Sequence, residues 1–462
     1  MKGNVLGTAP ISKLIWKFAL PGILTQVVSS AHNIVDQIFI GQKFGEMGIA
    51  ATNISFPLAS AVTAVSALVG VGAAANFSIL LGKGEKENAA KMLETGLFLL
   101  LLLGALITVV SSLFLEPMLR LFGATDLMMP YATEYVRIIC IGIVFGIFST
   151  GVAYFIRADG RPGFSSVVLL SGAILNMLLD PLFLFVFDMG ISGVALATLL
   201  GQLLSAVLAW HYIRYRFQSV KIYFRRASYS GHEAKGIFAI GVSAFVTHVL
   251  AIAVQIIQMN SFRYYGALSP YGSEIVIAGA GAVSKLSIVF MSVVIGISLG
   301  CQPIYGFNLG SRRYDRVKKA YLLAVTYGTV VAGATFLVMQ LFPSQLLSIF
   351  GSENPLFYEY TTGYIRVGMA LLFVNGIQPI TSMFCSSIGR PKAALWMTII
   401  RQGILLIPLT FILPMFFGLQ GVLTAIPISD GLAAVIVSGF GFRMVQELSA
   451  KERVEAGEHL NE

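Results

Sequence analysis

The chain has 462 residues, of which 56% are hydrophobic and only 11% charged, with a mean hydropathy of +0.81 and a formal net charge of +9. A soluble domain carries roughly 25% charged residues. The composition therefore excludes a soluble enzyme, a disordered chain and a secreted disulfide scaffold, and leaves a polytopic membrane protein.

Crossing a ~30 Å hydrocarbon layer takes about 20 helical residues. Runs that meet this length fall, in chain order, near 14–40, 49–81, 92–115, 132–156, 164–187, 191–213, 236–262, 276–307, 320–342, 360–388, 393–417 and 419–442. An all-α fold of twelve transmembrane helices is expected. The first run is too long for a cleavable signal peptide and carries Pro21 and Asp36.

Lysine and arginine collect on the cytoplasmic side of membrane proteins. The N-terminus, every second loop and the C-terminus hold 24 of the 31 basic residues; the intervening loops hold Lys43, Arg120 and Arg263. Both termini are expected in the cytoplasm. The positive charge thus marks orientation and contact with lipid headgroups, and nucleic-acid binding is not expected. Cys140, Cys301 and Cys385 lie in expected spans without metal-ligand spacing. The five histidines (His32, His211, His232, His248 and His459) are scattered, and no nucleophile–base or metal-hydrolase motif accompanies them. The chain does not read as an enzyme.

Short fragments recur at a separation of 228 or 229. Leu81-Gly82 returns as Leu309-Gly310, Leu121-Phe122-Gly123 as Ile349-Phe350-Gly351, and Tyr135-Val136-Arg137 as Tyr364-Ile365-Arg366. Gly160-Arg161-Pro162 returns as Gly389-Arg390-Pro391, and Gly190-Ile191-Ser192-Gly193-Val194 as Gly418-Leu419-Gln420-Gly421-Val422. A single register implies duplication. Each half holds six spans, so the repeats are parallel, as in two-lobed secondary transporters. The expected division is a six-helix lobe over 1–218, a cytoplasmic linker over 219–235 and a second six-helix lobe over 236–462.

Of the 22 acidic residues, Asp36, Asp180 and Asp430 sit well inside spans. An acid at mid-membrane costs about 2.5–3.5 kcal/mol on insertion scales, so its presence points to function. Counting from the outer helix ends puts Asp36 and Asp180 at similar depths. Asn176 shares a helical face with Asp180, Thr198 lies as far past the hairpin turn near Met189 as Asp180 lies before it, and Asn33 is on the Asp36 face. Two carboxylates, an amide and a hydroxyl suit either a proton or Na⁺. Pro21 is a hinge or a fixed kink on the helix that bears Asp36. In the second half, Lys285 and Asp430 lie at similar depth, open to a structural pair, a substrate contact or no contact. Arg401 is expected to snorkel or pack. Thirty-three Phe, 17 Tyr and 16 Met supply an apolar, polarizable surface suited to lipophilic cations.

At these residues the chain resembles the multidrug and toxic compound extrusion (MATE) family. The stretch Asn33-Ile34-Val35-Asp36-Gln37-Ile38-Phe39-Ile40-Gly41-Gln42 is similar to its MepA-like, DinF-related bacterial branch. The resemblance implies drug/cation antiport across a bacterial cytoplasmic membrane, by a protein acting as a monomer without a cofactor and coupled to H⁺ and/or Na⁺. It implies a cation site in the N-terminal lobe at Asp36, Asn176, Asp180 and Thr198, bending of the first helix at Pro21, and a cavity-lining role for Tyr135. It departs from NorM-type relatives, since helices seven and ten offer His248, Gln255, Gln258, Asn260 and Gln378 but no buried acid. Coupling is therefore expected to rest on the first lobe. The alternative is a lipid-linked precursor flippase of the same superfamily, in which several cavity cations are expected; here only Lys285 and Arg401 qualify.

Overall fold

The computed structural model describes residues 5–53, 55–122, 124, 128–222, 231–349 and 354–458, with the backbone alone at 5, 33–34, 37–38, 41, 45–51, 53, 274 and 454–458. Every regular element among them is helical. The first nine spans are α1 (Ile11–Asn53), α2 (Phe56–Lys83), α3 (Lys86–Leu113), α4 (Met129–Ala158), α5 (Pro162–Pro181), α6 (Ile191–His211), α7 (Gly231–Ala267), α8 (Gly272–Gly310) and α9 (Tyr314–Leu341). The tenth, α10, is broken into Pro355–Gly368 and Leu372–Ser387 with a 61° bend. The last helical stretch turns at Gly418, whose φ of 55° and ψ of −136° are not helical, and so divides into α11 (391–417) and α12 (419–458). Twelve spans result. Large apolar side chains stay exposed along them, including Leu113, Val186, Phe416 and Val435, as a lipid solvent requires.

The expected first two spans, 14–40 and 49–81, differ from the observed helices. α1 runs on to Asn53, because the polar stretch after Gly41 continues the helix past the hydrocarbon. It stops where Ser55 Oγ donates to the Thr52 carbonyl and Pro57 begins α2. The expected tenth span, 360–388, is continuous by hydropathy but broken in the structure.

The chain forms two compact units, one containing Leu20–His248 and the other Ala9–Ala19 together with the chain from Val249 onward. Two of the three crossings between units, after Ala19 and after His248, fall inside long helices, α1 and α7. Of the expected linker 219–235, residues 223–230 lie outside the described set.

Within each unit the duplication is visible in the backbone. Positive φ recurs at Gly84 and Arg312, at Gly160 and Gly389, and at Gly190 and Gly418. Arg161 and Arg390, each just before a helix-starting proline, share φ near −115° and ψ of 58°. Arg161 donates to Gln218, and its counterpart Arg390 pairs with Glu447.

Candidate cation site

The site is set by how α5 and α6 cross. On α5, Gly172, Asn176 and Asp180 follow one another at four-residue spacing and so share a face. On α6, Val194, Thr198 and Gly201 form the facing stripe. The two glycines let the backbones touch: a Cβ on Gly201 would lie 2.5 Å from the Gly172 carbonyl oxygen. That approach brings Asn176 Nδ2 to 3.3 Å from Asp180 Oδ1 and 3.2 Å from Thr198 Oγ1, while Thr198 donates to the Val194 carbonyl at 3.1 Å. Replacing Gly201 by valine is therefore expected to cost about 1–3 kcal/mol through overpacking. Thermal unfolding in detergent checks this, with Gly163→Ala, where a Cβ meets nothing within 4 Å, as the neutral control.

α1 lies beside α5 in matched register. Ser166 Oγ donates to the Pro21 carbonyl at 2.6 Å, and Thr25 Oγ1 donates to the same oxygen at 2.9 Å. Fifteen residues along α1 and fourteen along α5, about 22 Å at 1.5 Å per residue, Asp36 comes within hydrogen-bonding reach of Asp180. Beyond that level, Lys43 Nζ donates to the Leu184 carbonyl at 3.0 Å and pairs with Asp188. This ammonium holds the exposed Asp188 carboxyl below its ordinary pKa.

Asp180 and Asn176 are buried, and Asp36 is 16% exposed. Asp36 Oδ1, Asp180 Oδ2 and Asn176 Oδ1 are buried atoms that accept no hydrogen bond from any described group. Two carboxylates this close in a poorly solvated setting call for positive charge between them. Such a set is chemically able to take up a shared proton or a small hard cation. Two carboxylates, an amide and a hydroxyl present oxygen donors at this level.

Tyr135, on α4, faces Thr198 and both carboxylates and packs with Phe39 and Phe44 against Ile40, Leu184 and Val194. These apolar groups cover the carboxylates on one side. Asn33 is on α1, with its side chain outside the described residues. The residue missed in sequence is His32, whose Nδ1 stands 3.2 Å from Asp36 Oδ1. Its four-residue spacing from Asp36 was the available signal.

The second unit is built differently at the matching positions. At the same offsets, Asn176, Asp180 and Thr198 correspond to Leu405, Leu409 and Ile426. Gly172 corresponds to Arg401, and Gln202, next to Gly201, to Asp430. The close glycine crossing of the first unit thus becomes an ion pair. Arg401 Nε and Nη2 both lie 2.8 Å from Asp430 Oδ1, Nη1 donates to Gln378 Oε1 at 3.0 Å, and Asn375 Nδ2 donates to Asp430 Oδ2 at 2.7 Å. Asn375 belongs to the break in α10, and Arg401 to a π-helical stretch, Ile399–Leu406, in α11. The Arg401 carbonyl accepts from Ser429 Oγ at 3.0 Å.

Of the alternatives open for Lys285 and Asp430, the structural pair is not the one observed: Asp430 is held by Arg401 and Asn375. Depth counting fixes height along a helix but not direction around it: Lys285 is exposed on α8, whereas Asp430 is 4% exposed and turned toward α10 and α11. Arg401, expected to snorkel, is the actual partner.

Twelve apolar helices in a duplicated arrangement, with a buried carboxylate pair in one half, define a multi-pass membrane protein of the secondary-transporter kind. The sequence model of the MatE family matches residues 21–182 and 237–412, and the chain belongs to that family of membrane transporters. It is 26% identical over 433 residues to the multidrug export protein MepA of Staphylococcus aureus, covering 92% of each chain. It is 24% identical over 449 residues to a FAD transporter of Shewanella oneidensis, covering 96% of this chain and 97% of that one. Among solved structures, an outward-facing multidrug resistance MATE family transporter of the MOP superfamily superposes with a TM-score of 0.90 at 23% identity, over 97% of this chain and 99% of the other. A MOP superfamily transporter from Pyrococcus furiosus, described as having a binding pocket of reverse polarity, matches equally well, with a TM-score of 0.90 at 23% identity over the same shares.

Proposed function

We propose that the protein is a multidrug efflux transporter. It exports lipophilic, often cationic compounds across a bacterial cytoplasmic membrane by alternating access, in exchange for H⁺ or Na⁺, with both termini in the cytoplasm. The observation that carries this reading is the Asp36–Asp180 pair, whose Asp36 Oδ1 and Asp180 Oδ2 are buried without a hydrogen bond, with His32 beside Asp36 and the amide and hydroxyl of Asn176 and Thr198 beside Asp180. A cation entering this set neutralises the pair and changes how α1 is held against α5. Pro21 is the hinge: it lies at the second position after the chain passes from one unit to the other. Negative charge in the first unit attracts cationic drugs, so ion and drug compete. The protein works as a monomer.

The second reading is export of a FAD-like dinucleotide, favoured by the similarity to the Shewanella oneidensis transporter. Against it stands Arg401, whose charge is taken up by Asp430 and is not offered to an anion. The same neutralisation speaks against a flippase for pyrophosphate-linked lipids. Proteoliposomes loaded with a fluorescent lipophilic cation or with FAD, under separately imposed proton and Na⁺ gradients, distinguish the substrates. Gradient-driven loss of the lipophilic cation is the expected result, and loss of FAD alone overturns it.

Thr198→Val separates the ions. The variant removes an oxygen that a bare Na⁺ needs but a proton does not. Na⁺-driven exchange is expected to fall with Thr198→Val if Na⁺ is the coupling ion, and proton-driven exchange to persist if it is H⁺. Rates under the two gradients make the comparison.

A further inference from the structure

On the face opposite the basic loops, two adjoining hollows of about 320 and 560 Å³ lie between the end of α3, the short helix Leu115–Leu121 and the start of α4. They share Glu116, Thr133 and Arg137, and the larger adds Arg120 and Glu134. Their size falls in the ~300–1,000 Å³ range of small-molecule sites. The lining carries two carboxylates and two guanidiniums, a balanced set rather than a patch of one sign.

Three observations point to a ligand. Glu116 and Arg137 form no ion pair among the described residues, although both line each hollow. Thr133 Oγ1 is buried without a hydrogen-bond partner. The rim is strongly apolar and exposed, with Leu113 at 73%, Phe114 at 59% and Leu121 at 82%. Ile141, one turn beyond Arg137 on the same face of α4, is exposed as well. A zwitterion at the mouth of a lipid-facing groove satisfies all three together. Glu134 is held by Ser192 at the start of α6, which fixes one wall.

We propose that this groove is a headgroup site for a phospholipid bearing a primary ammonium, of phosphatidylethanolamine type. The phosphate meets Arg137 and the Thr133 hydroxyl, the ammonium meets Glu116, and the acyl chains follow the apolar rim along α3 and α4. A primary ammonium donates hydrogen bonds to a carboxylate, whereas the quaternary ammonium of phosphatidylcholine cannot. An anionic headgroup such as phosphatidylglycerol satisfies the arginines but leaves Glu116 facing like charge. The site is independent of the transported substrate and of the coupling ion.

The test is native mass spectrometry of the purified full-length protein, equilibrated with an equal mixture of phosphatidylethanolamine, phosphatidylcholine and phosphatidylglycerol of identical acyl chains. Phosphatidylethanolamine is expected to be retained about fivefold over phosphatidylcholine, the effect of the one partly exposed ammonium–carboxylate contact in which the two lipids differ. The double variant Glu116→Gln/Arg137→Gln is expected to lose the preference while keeping the parent's unfolding temperature. Thr133→Val, which keeps both charges, is expected to weaken retention of both zwitterionic lipids while leaving the preference between them. Lys392→Gln, on the basic side, is expected to leave it intact. Equal retention of phosphatidylethanolamine and phosphatidylcholine by the parent overturns the proposal, as does a preference that survives in the double variant. Displacement by soluble glycerophosphoethanolamine as effective as by the intact lipid assigns the groove to a soluble zwitterion and overturns it too.

Discussion

Asp36→Asn and Asp180→Asn are each expected to reduce gradient-driven efflux of a lipophilic cation from proteoliposomes to the level of protein-free vesicles. Either substitution keeps the side chain's shape but removes the charge that a proton or Na⁺ must neutralise. The two variants test different halves of one contact. Asp180 is fully buried and bonded to Asn176, and its amide replacement retains a partner there. Asp36 comes from α1 and stands beside His32, so its replacement cuts the link between ion and helix while leaving the α5–α6 crossing intact. Binding of the drug, measured by fluorescence polarisation in detergent, is expected to weaken but persist in Asp36→Asn, since one of the two carboxylates that attract a cation remains. Transport at the parent's rate by both variants under both gradients would sink the coupling assignment.

The second large effect concerns stability. Removing one member of a buried ion pair strands its partner, at a cost of about 3–5 kcal/mol. Arg401→Leu leaves Asp430 with only Asn375 as a donor, and about 3 kcal/mol of destabilisation is expected, toward the lower end because Arg401 is 23% exposed. The double replacement Arg401→Leu/Asp430→Leu removes both charges and is expected to recover most of that loss, since apolar substitutes for buried pairs are often neutral. Thermal unfolding of the two singles and the double completes the cycle. Additive losses would show that the pair does not act as a unit.

What could be found from sequence followed how each quantity is encoded. The helical spans were legible because apolar runs of about 20 residues mark them directly. The level of Asp180, Asn176 and Thr198 was legible because a helical hairpin makes depth a matter of counting from its turn. The closeness that turns level into contact was not, since it depends on Gly172 and Gly201 letting two backbones meet. The Arg401–Asp430 pair was missed for the complementary reason: equal height suggested Lys285, but the direction of a side chain around its helix depends on the π-helical stretch in α11. The break in α10 was equally hidden, as residues 369–374 are all apolar and no proline falls between Gly368 and Gly376.

The way α1 is shared between units bears on the order in which the protein can be assembled. Residues 9–19 leave the ribosome well before their partners, which are made late. Ser12 bonds Tyr327, 315 positions away, Trp16 packs on the same ring, and the Ala9 carbonyl accepts from Arg316. At a synthesis rate of ~5–20 residues per second, that interval is roughly 15–60 s. During it the rest of α1 can already pair with α5 through Ser166 and Asp180, while its first three turns wait in lipid. The first turns of α1 are thus among the last parts to be docked, and a chain halted after α6 would carry an unfinished α1.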